Sequence, residues 1–330
     1  MPETEISPQS ERIRGVLAPV VTPFKVDLSP DRDRFITHCQ WLLSRNCGLA
    51  VFGTNSEANS MSAEERMKLL DTLVAAGIDR SRMMPGTGCC SITETVELTA
   101  HAVKHGCAGV LLLPPFYYKD VSEEGLYGYF SEVVQRVGDT RLKIYLYHIP
   151  PVAVVGVTPK LVERLLKVYP NAIAGMKDSS GDWNNTKTFL DAFVETARAA
   201  RTFDIFVGSE SFLLANMRDG GAGSISATAN VNPAAIHKLY REWNTADDAD
   251  NADQQQSKLD VVRDVFSSRK FPSMIAALKQ AISIYANDPE WTRLRPPLVE
   301  LTTEQAELLA AELQAIGFAM PGVGTKSKEL

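Results

Sequence analysis

Short apolar runs alternate with amphipathic stretches along most of the chain. Eight runs have the length and composition of buried strands, at 16–21, 49–52, 83–86, 109–113, 143–147, 173–176, 205–208 and 223–226. Each is followed by a stretch with helical spacing of apolar residues, at about 32–45, 63–78, 92–105, 123–137, 159–168, 184–199, 210–219 and 233–245. Strands that alternate with helices pair in parallel through right-handed crossovers. The pattern therefore predicts an α/β protein with a (β/α)8 TIM barrel.

The pattern changes after residue 245. A polar segment, 246–256, leads into helical patterns near 254–268, 271–286 and 302–316, with no strand between them. We therefore predict a flexible tail over 1–10, a catalytic barrel over 11–245, a C-terminal helical unit over 246–318 that packs on the barrel, and a second flexible tail over 319–330.

Composition and charge argue against several classes of function. The chain has 330 residues and a formal net charge of −6, so it has no basic field to attract nucleic acid or anionic lipid. No apolar run reaches the roughly 18 residues of a membrane span, and the acidic, polar first residues argue against a signal or transit peptide. Five cysteines without metal-ligand spacing fit a reducing cytoplasm, and we expect no metal.

Lys177 is the most informative residue for chemistry. It follows a small, apolar run at 172–176 and so lies at the carboxyl end of a predicted strand, where a barrel of this kind has its active site. A lysine there is shielded from water, which disfavours its charged form, and a neutral amine attacks a ketone or aldehyde to give an iminium ion. Lys177 is therefore a candidate Schiff-base residue. The alternative is a lysine that reaches solvent or pairs with Asp178.

Iminium chemistry also needs a group that moves protons, and a phenol can both donate and accept at one atom. Tyr147 ends the strand that precedes the strand of Lys177, so both side chains are expected in one pocket. Thr54 and Tyr117 follow other strands and would relay the proton. The segment 53–56, Gly-Thr-Asn-Ser, can hold a carboxylate with backbone N–H groups. The alternatives are a packed tyrosine with a satisfied hydroxyl and an ordinary tight turn.

Five segments, in order along the chain, resemble motifs of one known group. Segment 53–57, Gly-Thr-Asn-Ser-Glu, resembles a Gly-(Ser/Thr)-(Thr/Asn)-Gly-Glu carboxylate loop, and segment 115–118, Pro-Phe-Tyr-Tyr, is similar to a Pro-Tyr-Tyr loop. The others are 145–150 (Tyr-Leu-Tyr-His-Ile-Pro), 175–182 (Gly-Met-Lys-Asp-Ser-Ser-Gly-Asp) and 225–230 (Ile-Ser-Ala-Thr-Ala-Asn). From about residue 15 to 318 the chain thus resembles the dihydrodipicolinate synthase / N-acetylneuraminate lyase superfamily of pyruvate-dependent class I aldolases.

The resemblance implies a role for each matching residue. Lys177 would form the iminium with pyruvate or another 2-oxo acid, and Tyr147 would be the general acid/base. Thr54 and Tyr117 would complete the relay; in synthase-type members the tyrosine equivalent to Tyr117 reaches in from a neighbouring subunit, so a homo-oligomer, a dimer or tetramer, is expected. The other implied pocket residues are Gly53, Asn55, Ser56, Gly208, Ser209, Ile225 and Val152. The resemblance implies no cofactor beyond the covalent iminium, and 2-oxo acid and aldehyde substrates as the only partners.

Three positions depart from the family pattern. Ser56 replaces the usual glycine, and because serine adopts a left-handed backbone only at a cost, we expect a slightly reshaped loop. Val152 stands where the synthase places an arginine that grips a substrate carboxylate, and valine offers no donor. His148 replaces an asparagine and is interpreted as a packing residue.

These features favour a carbon–carbon lyase, most similar in motif to 4-hydroxy-2-oxoglutarate aldolase or a 2-keto-3-deoxy sugar acid aldolase. The alternatives are dihydrodipicolinate synthase, a sugar-acid dehydratase and, least favoured, a non-catalytic 2-oxo acid binding protein. Hydroxyl and acidic residues after the strands, Glu210 among them, are expected to read the acceptor aldehyde. His101 and His105 lie four residues apart on a predicted helix, and we interpret them as a solvated face because the sequence offers no third metal ligand.

Overall fold

A computed structural model of the chain describes residues 12–194, 203–245 and 249–325. Within these residues, seven strands form one parallel sheet in the order β2-β1-β7-β6-β5-β4-β3. Every strand residue is buried, as expected for a parallel sheet that is covered on both faces. The strands are β1 Gly15–Ala18, β2 Gly48–Leu49, β3 Val110–Leu112, β4 Ile144–His148, β5 Ile173–Asp178, β6 Asp204–Val207 and β7 Gly223–Ile225.

The third predicted strand, 83–86, forms isolated bridges and no regular strand. It lies between β2 and β3: Met84 N–H donates to the Leu49 carbonyl at 2.8 Å, and Leu111 N–H donates to the Pro85 carbonyl at 2.9 Å. Pro85 has no N–H, so the ladder of hydrogen bonds cannot run through it. The sequence located this segment correctly, but the prediction of a regular strand there was wrong.

Helices follow the strands close to the predicted positions. Ser62 and Glu65 form a capping box at the start of the second helix, since Ser62 Oγ accepts from Glu65 N–H at 3.1 Å and Ser62 N–H donates to the Glu65 carboxylate at 2.9 Å. The helix predicted over 184–199 runs to Phe193 in the structure, and Val194 is its C-cap. Residues 195–199 of the prediction lie outside the described residues. The helices are α1 Arg32–Ser44, α2 Ala63–Ala75, α3 Ile92–Lys104, α4 Glu123–Val137, α5 Pro150–Ala153, α6 Pro159–Val168, α7 Trp183–Phe193, α8 Leu213–Arg218, α9 Pro233–Glu242, α10 Ala249–Ser267, α11 Met274–Ala286 and α12 Thr303–Ala315.

Alternate residues along a strand face opposite sides of the sheet, and this separates two cores. On β4, Ile144 and Leu146 pack in the large core between the sheet and the helices. Tyr145 and Tyr147 instead join a smaller inner cluster with residues from other strands, such as Phe206. Tyr147 is therefore directed to the inside of the curled sheet, where the predicted pocket lies.

The C-terminal segment beyond α12 corrects one prediction. Residues 319–325 were expected in a flexible tail, yet Met320 and Val323 are buried in the main core. The indole N–H of Trp41 on α1 donates to the Pro321 carbonyl at 3.1 Å. The buried apolar side chains and the hydrogen bond from Trp41 fix this segment against the rest of the protein. The predicted tail residues 1–10 and 326–330, and the predicted domain junction at 246–248, lie outside the described residues.

No described helix has the length and apolar character that a bilayer span requires.

Candidate active site

Lys177 and Tyr147 are paired residues on neighbouring strands. β4 and β5 lie in parallel register with Tyr147 opposite Lys177, so both side chains leave the sheet on the same side. Lys177 Nζ donates to the Tyr147 hydroxyl at 3.2 Å and lies 4.3 Å from the centroid of the tyrosine ring. Each residue is only 3% exposed. The amine is thus desolvated and in contact with a group that can exchange protons with it.

The alternative interpretation of Lys177 as a surface lysine or a partner of Asp178 was wrong. The Asp178 carboxylate is buried and is already occupied on both oxygens. Oδ1 accepts from Ser180 N–H at 2.8 Å, and Oδ2 accepts from the amide of Asn185 at 3.0 Å and from the hydroxyl of Thr186 at 2.6 Å. These bonds hold the start of α7 against the end of β5. They also leave the amine of Lys177 without a carboxylate partner among the described residues.

Thr54 extends the contact between lysine and tyrosine to the loop that follows β2. The hydroxyl oxygens of Thr54 and Tyr147 lie 3.3 Å apart, and either can be the donor. The structure therefore joins Lys177, Tyr147 and Thr54, three of the four predicted catalytic residues, in one chain of polar contacts. Such a chain can move a proton between the amine and the loop.

The loop itself is a short helical turn, Thr54–Ser56, with two free backbone donors. Ser56 Oγ accepts from Gly53 N–H at 3.2 Å, and Ser56 N–H is taken by the Gly53 carbonyl at 3.1 Å. Within the described residues, the N–H groups of Thr54 and Asn55 make no hydrogen bond. The left-handed conformation falls on Glu57, at φ 56°, and not on Ser56. The serine at this family glycine position therefore causes no backbone strain, which removes the reason for which a reshaped loop was expected.

Glu57 connects this loop to the C-terminal helices, which the sequence analysis missed. Its carboxylate forms an ion pair with Lys279 on α11, and both side chains are 0% exposed. The other carboxylate oxygen accepts from Arg295 N–H at 2.9 Å. Burial lowers the pKa of Lys279 to about 8, against the opposing effect of Glu57. One sequence signal was available: Lys279 is a lysine inside the otherwise mostly apolar run of α11.

Three more of the predicted pocket residues lie at or just after the ends of β6 and β7. Ile225 is fully buried and belongs to the same inner cluster as Tyr147. Gly208 leaves no room for a side chain, because a Cβ atom there would lie 2.0 Å from the Ser179 hydroxyl oxygen. Ser209 caps the next helical turn, where its hydroxyl accepts from Ser211 N–H at 3.2 Å.

Glu210 does not reach the acceptor side of the pocket. Its carboxylate is 1% exposed, accepts hydrogen bonds from Ser226 and Thr228, and pairs with Arg263 on α10 at 2.9 Å. The expectation that Glu210 reads the acceptor aldehyde was therefore wrong. The side chain instead fastens the ends of β6 and β7 to the C-terminal helices.

Tyr117 and Val152 lie outside the buried chain of contacts. Tyr117 is 74% exposed and touches Tyr118 edge to face, with ring centroids 5.3 Å apart. Val152, on α5, is 62% exposed. Lys119 Nζ donates to the Ala153 carbonyl at 3.1 Å, which holds the tyrosine loop beside α5. A single chain thus brings neither predicted residue into contact with Lys177.

His148 packs, as the sequence analysis interpreted it. The side chain is buried at the end of β4, and its Nδ1 accepts from Val157 N–H at 2.9 Å. Burial lowers the pKa of the imidazole, and the charge of Asp178 opposes that effect in part. A ring that accepts a backbone N–H in this way is neutral at Nδ1, and here it fixes the chain that leaves α5.

Comparisons with known proteins assign the family. The model of the dihydrodipicolinate synthetase family matches residues 12–316, which is nearly the whole described chain. A solved structure of YagE from Escherichia coli K12, a prophage protein of the dihydrodipicolinic acid synthase family in complex with pyruvate, superimposes with a TM-score of 0.84 at 26% identity and covers 93% of this chain and 99% of that one. The fold and the buried lysine define a class of lyases, and this chain belongs to the dihydrodipicolinate synthetase family.

Two curated relatives differ in the reaction that their names describe. A 4-hydroxy-tetrahydrodipicolinate synthase from Thermus thermophilus is 36% identical over 227 residues, which cover 68% of this chain and 72% of the relative. A probable 2-dehydro-3-deoxy-D-pentonate aldolase from Escherichia coli, YjhH, is 28% identical over 309 residues, which cover 93% and 98%. The family match and these two relatives agree on the class of enzyme: the protein is a carbon–carbon lyase of the class I aldolase type. Enzymes of this family work through a Schiff base with pyruvate and need no metal cofactor.

Proposed function

We propose that this protein is an aldolase that reversibly joins pyruvate to an aldehyde through an iminium on Lys177, in the manner of 4-hydroxy-2-oxoglutarate or 2-keto-3-deoxy sugar acid aldolases. The observation that carries the proposal is the chain of polar contacts that joins the buried Lys177 and Tyr147 to the half-buried Thr54, at 3.2 Å and 3.3 Å. It ends at the free N–H groups of Thr54 and Asn55, which suit the carboxylate of a 2-oxo acid.

The first half of the reaction forms the iminium. The nitrogen lone pair of Lys177 attacks C2 of pyruvate, and the carbonyl oxygen takes up the proton that the nitrogen loses, through Tyr147. The carbinolamine hydroxyl leaves as water after Tyr147 protonates it, and the nitrogen lone pair forms the C=N bond. Tyr147, now a phenolate, can remove a proton from C3 to give the enamine and recover its own proton. Thr54 would pass protons between the hydroxyl of Tyr147 and the bound substrate.

The second half forms the carbon–carbon bond. The enamine C3 attacks the carbonyl carbon of the aldehyde, and the aldehyde oxygen takes the proton from Tyr147. Water then adds to the iminium, and the proton that it loses returns to the Tyr147 phenolate. The proton of the carbinolamine hydroxyl passes to the nitrogen as the C–N bond breaks, and Lys177 is released as the free amine. Cleavage runs through the same steps in reverse. Each step uses one amine and one phenol, so no redox partner is required.

We also propose how the chain divides into structural units. We assign a closed (β/α)8 barrel over 11–245, supported by the bridges of segment 83–86 to both β2 and β3. A C-terminal helical unit over 246–318 would pack on it, with Gln256 and Arg263 contacting the end of β6 through Glu210. A cytoplasmic location stays a prediction that the five free cysteines support.

The runner-up is 4-hydroxy-tetrahydrodipicolinate synthase, and Val152 argues against it. The resemblance places at this position an arginine that holds the carboxylate of the second substrate. Val152 is an exposed, apolar side chain without a donor. A change of Val152→Arg should raise kcat/KM for aspartate semialdehyde, whereas Val152→Met, of similar length and no charge, should not. Efficient synthase activity in the unchanged protein would reverse the order of the two candidates.

Covalent trapping tests the central step. The protein is incubated with pyruvate and sodium borohydride, digested, and weighed as peptides. We expect a reduced pyruvate adduct on the peptide that contains Lys177, none in the Lys177→Ala variant, and an unchanged adduct in Lys160→Ala, which removes an exposed lysine. A folded protein without an adduct, or with an adduct elsewhere, would contradict the proposal.

The products then separate the candidate reactions. Cleavage of 4-hydroxy-2-oxoglutarate or a 2-keto-3-deoxy sugar acid yields pyruvate and an aldehyde, while a dehydratase on the same lysine yields no pyruvate. Condensation of pyruvate with aspartate semialdehyde would identify a synthase. A protein that forms the adduct but turns over none of these substrates would support the non-catalytic binding alternative.

A further inference from the structure

Two histidines of α3 and an aspartate of α2 converge on one point of the surface. Nε2 of His101 and Nε2 of His105 lie 2.9 Å and 2.7 Å from Oδ1 of Asp71. The three ligand atoms all lie within 4.8 Å of one another. The sequence analysis identified the histidine pair but lacked a third ligand, and Asp71 on the neighbouring helix supplies it.

We propose that Asp71, His101 and His105 form a binding site for a divalent transition-metal ion of the zinc type, which would link α2 to α3. Imidazole nitrogen and carboxylate oxygen are the ligands that such an ion takes at about 2.0–2.2 Å, which puts neighbouring ligands of a tetrahedral site about 3.3 Å apart. The observed separations of 2.9 Å and 2.7 Å need only a small opening to admit the ion.

The contact between His101 and Asp71 is close without being a hydrogen bond. Nε2 of His101 is buried and has no hydrogen-bond partner among the described residues, although Asp71 Oδ1 is 2.9 Å away. Nε2 of His105 does make the hydrogen bond, at 2.7 Å. One imidazole nitrogen therefore points at a carboxylate that its proton does not reach well. A metal ion between the three groups would satisfy this nitrogen.

Helix geometry and electrostatics favour a cation at this point. His101 belongs to the last turn of α3 and His105 caps its end, where the helix dipole is negative. Asp71 also lies in the second half of α2, and its side chain is 51% exposed, against 20% and 21% for the two histidines. The site is therefore open on one side, where water would complete the coordination of the ion.

The site lies away from Lys177. Helices of a parallel βα fold run against the strands, so the end of α3 faces the amino ends of the strands, while Lys177 lies near the carboxyl end of β5. The ion would therefore stabilise the contact between the two helices, and it would take no part in the reaction at Lys177. Thermal stability, and not turnover, should respond to it.

The test uses untagged protein that has been freed of metal by a chelator. Zinc binding is measured by calorimetry, and cobalt is used as a probe whose visible absorption reports tetrahedral coordination by nitrogen and oxygen. We expect one equivalent of zinc and a rise in Tm of about 2–4 °C at saturation. The variants His105→Gln and Asp71→Asn should each lose at least about tenfold in affinity and most of the Tm shift. His237→Gln, which changes a half-buried histidine on α9, is the matched control and should bind as the unchanged protein does.

Two results would overturn the proposal. The first is the absence of zinc and cobalt binding in a folded protein, which would leave an ordinary pair of histidines held by an aspartate. The second is binding that survives in His105→Gln but is lost in Cys90→Ser, since Cys90 is exposed next to Cys89 and thiols also bind zinc.

Discussion

Glu57 and Lys279 form a fully buried ion pair between residues that are 222 positions apart in the chain. Glu57 ends the loop that carries Thr54 and Asn55, and Lys279 belongs to α11 of the C-terminal helices. Lys279 Nζ also donates to the Arg293 carbonyl at 2.7 Å, so the lysine is fixed from two sides. The position of the proposed carboxylate loop therefore depends on helices that supply no residue to the proposed chemistry.

Removal of one partner of this pair should be costly. Lys279→Met keeps the length and apolar stem of the side chain but leaves the buried charge of Glu57 uncompensated. We expect a loss of about 3–5 kcal/mol in the free energy of unfolding, measured by urea titration. The double variant Glu57→Gln, Lys279→Met removes both charges and should recover part of that loss.

The matched control for this experiment is an exposed ion pair. Lys270 pairs with Glu312 and is 56% exposed, so Lys270→Met should cost less than about 1 kcal/mol. An equal effect of the Lys270 and Lys279 variants would mean that the buried pair does not hold the loop. A normal stability for Lys279→Met would lead to the same conclusion.

Tyr147 and Tyr145 offer a matched pair of hydroxyl deletions on one strand. Tyr147→Phe removes the group 3.2 Å from the amine of Lys177, so we expect kcat to fall by roughly 100-fold or more while pyruvate still binds. The hydroxyl of Tyr145 is buried without a hydrogen-bond partner among the described residues, so Tyr145→Phe should leave kcat unchanged. Steady-state kinetics and pyruvate titration measure both. Equal kcat values for the two variants would contradict the acid/base role of Tyr147.

The sequence was sufficient for features that depend on local pattern. The alternation of strands and helices located each described strand to within a few residues, and the helical spacing from residue 63 marked the start of α2 correctly. Lys177 and Tyr147 were predicted to meet because successive parallel strands end at the same edge of a sheet. Their register then followed from β4 and β5 pairing directly.

Features that depend on distant contacts were not predictable in this way. The partner of Glu57 lies on α11, and the third ligand beside His101 and His105 lies on another helix. Nothing in the local sequence of either segment specifies which helix packs against it. The prediction for Glu210 was wrong for the same reason. Its position after β6 suggested that it lines the pocket, but Arg263 and two hydroxyl groups hold the carboxylate inside the protein.

Tyr117 can be assigned by mixing two inactive variants. The tyrosine is 74% exposed on the single chain, so we expect it to act in the pocket of a second subunit. Lys177→Ala and Tyr117→Phe should each have low activity, but unfolding and refolding them together forms mixed dimers with one intact site. Random pairing then predicts a return to about a quarter of the normal activity. No recovery from well-folded mixed oligomers would place Tyr117 outside the relay, and the oligomeric state is checked by light scattering.

His38 should make stability depend on pH below neutrality. The imidazole is 2% exposed on α1 and packs between Trp41 and Trp291, with ring centroids 5.6 Å and 5.2 Å away. Burial lowers its pKa to about 4, although Asn230 opposes the effect. The unfolded chain binds this proton at about pH 6.5, so between pH 6.5 and pH 4 the unfolded state takes up a proton that the folded state refuses.

The free energy of unfolding should therefore fall as the pH drops from 6.5 towards 4, with a contribution from His38 of up to about 1.4 kcal/mol per pH unit. Urea titrations at several pH values measure the slope. His38→Phe keeps a ring between the two tryptophans without a titrating nitrogen, so its slope should be smaller than that of the unchanged protein. Other acid-sensitive groups, such as His148, contribute equally to both proteins and cancel in the comparison. Identical slopes would show that the buried imidazole of His38 is not the source of the acid sensitivity.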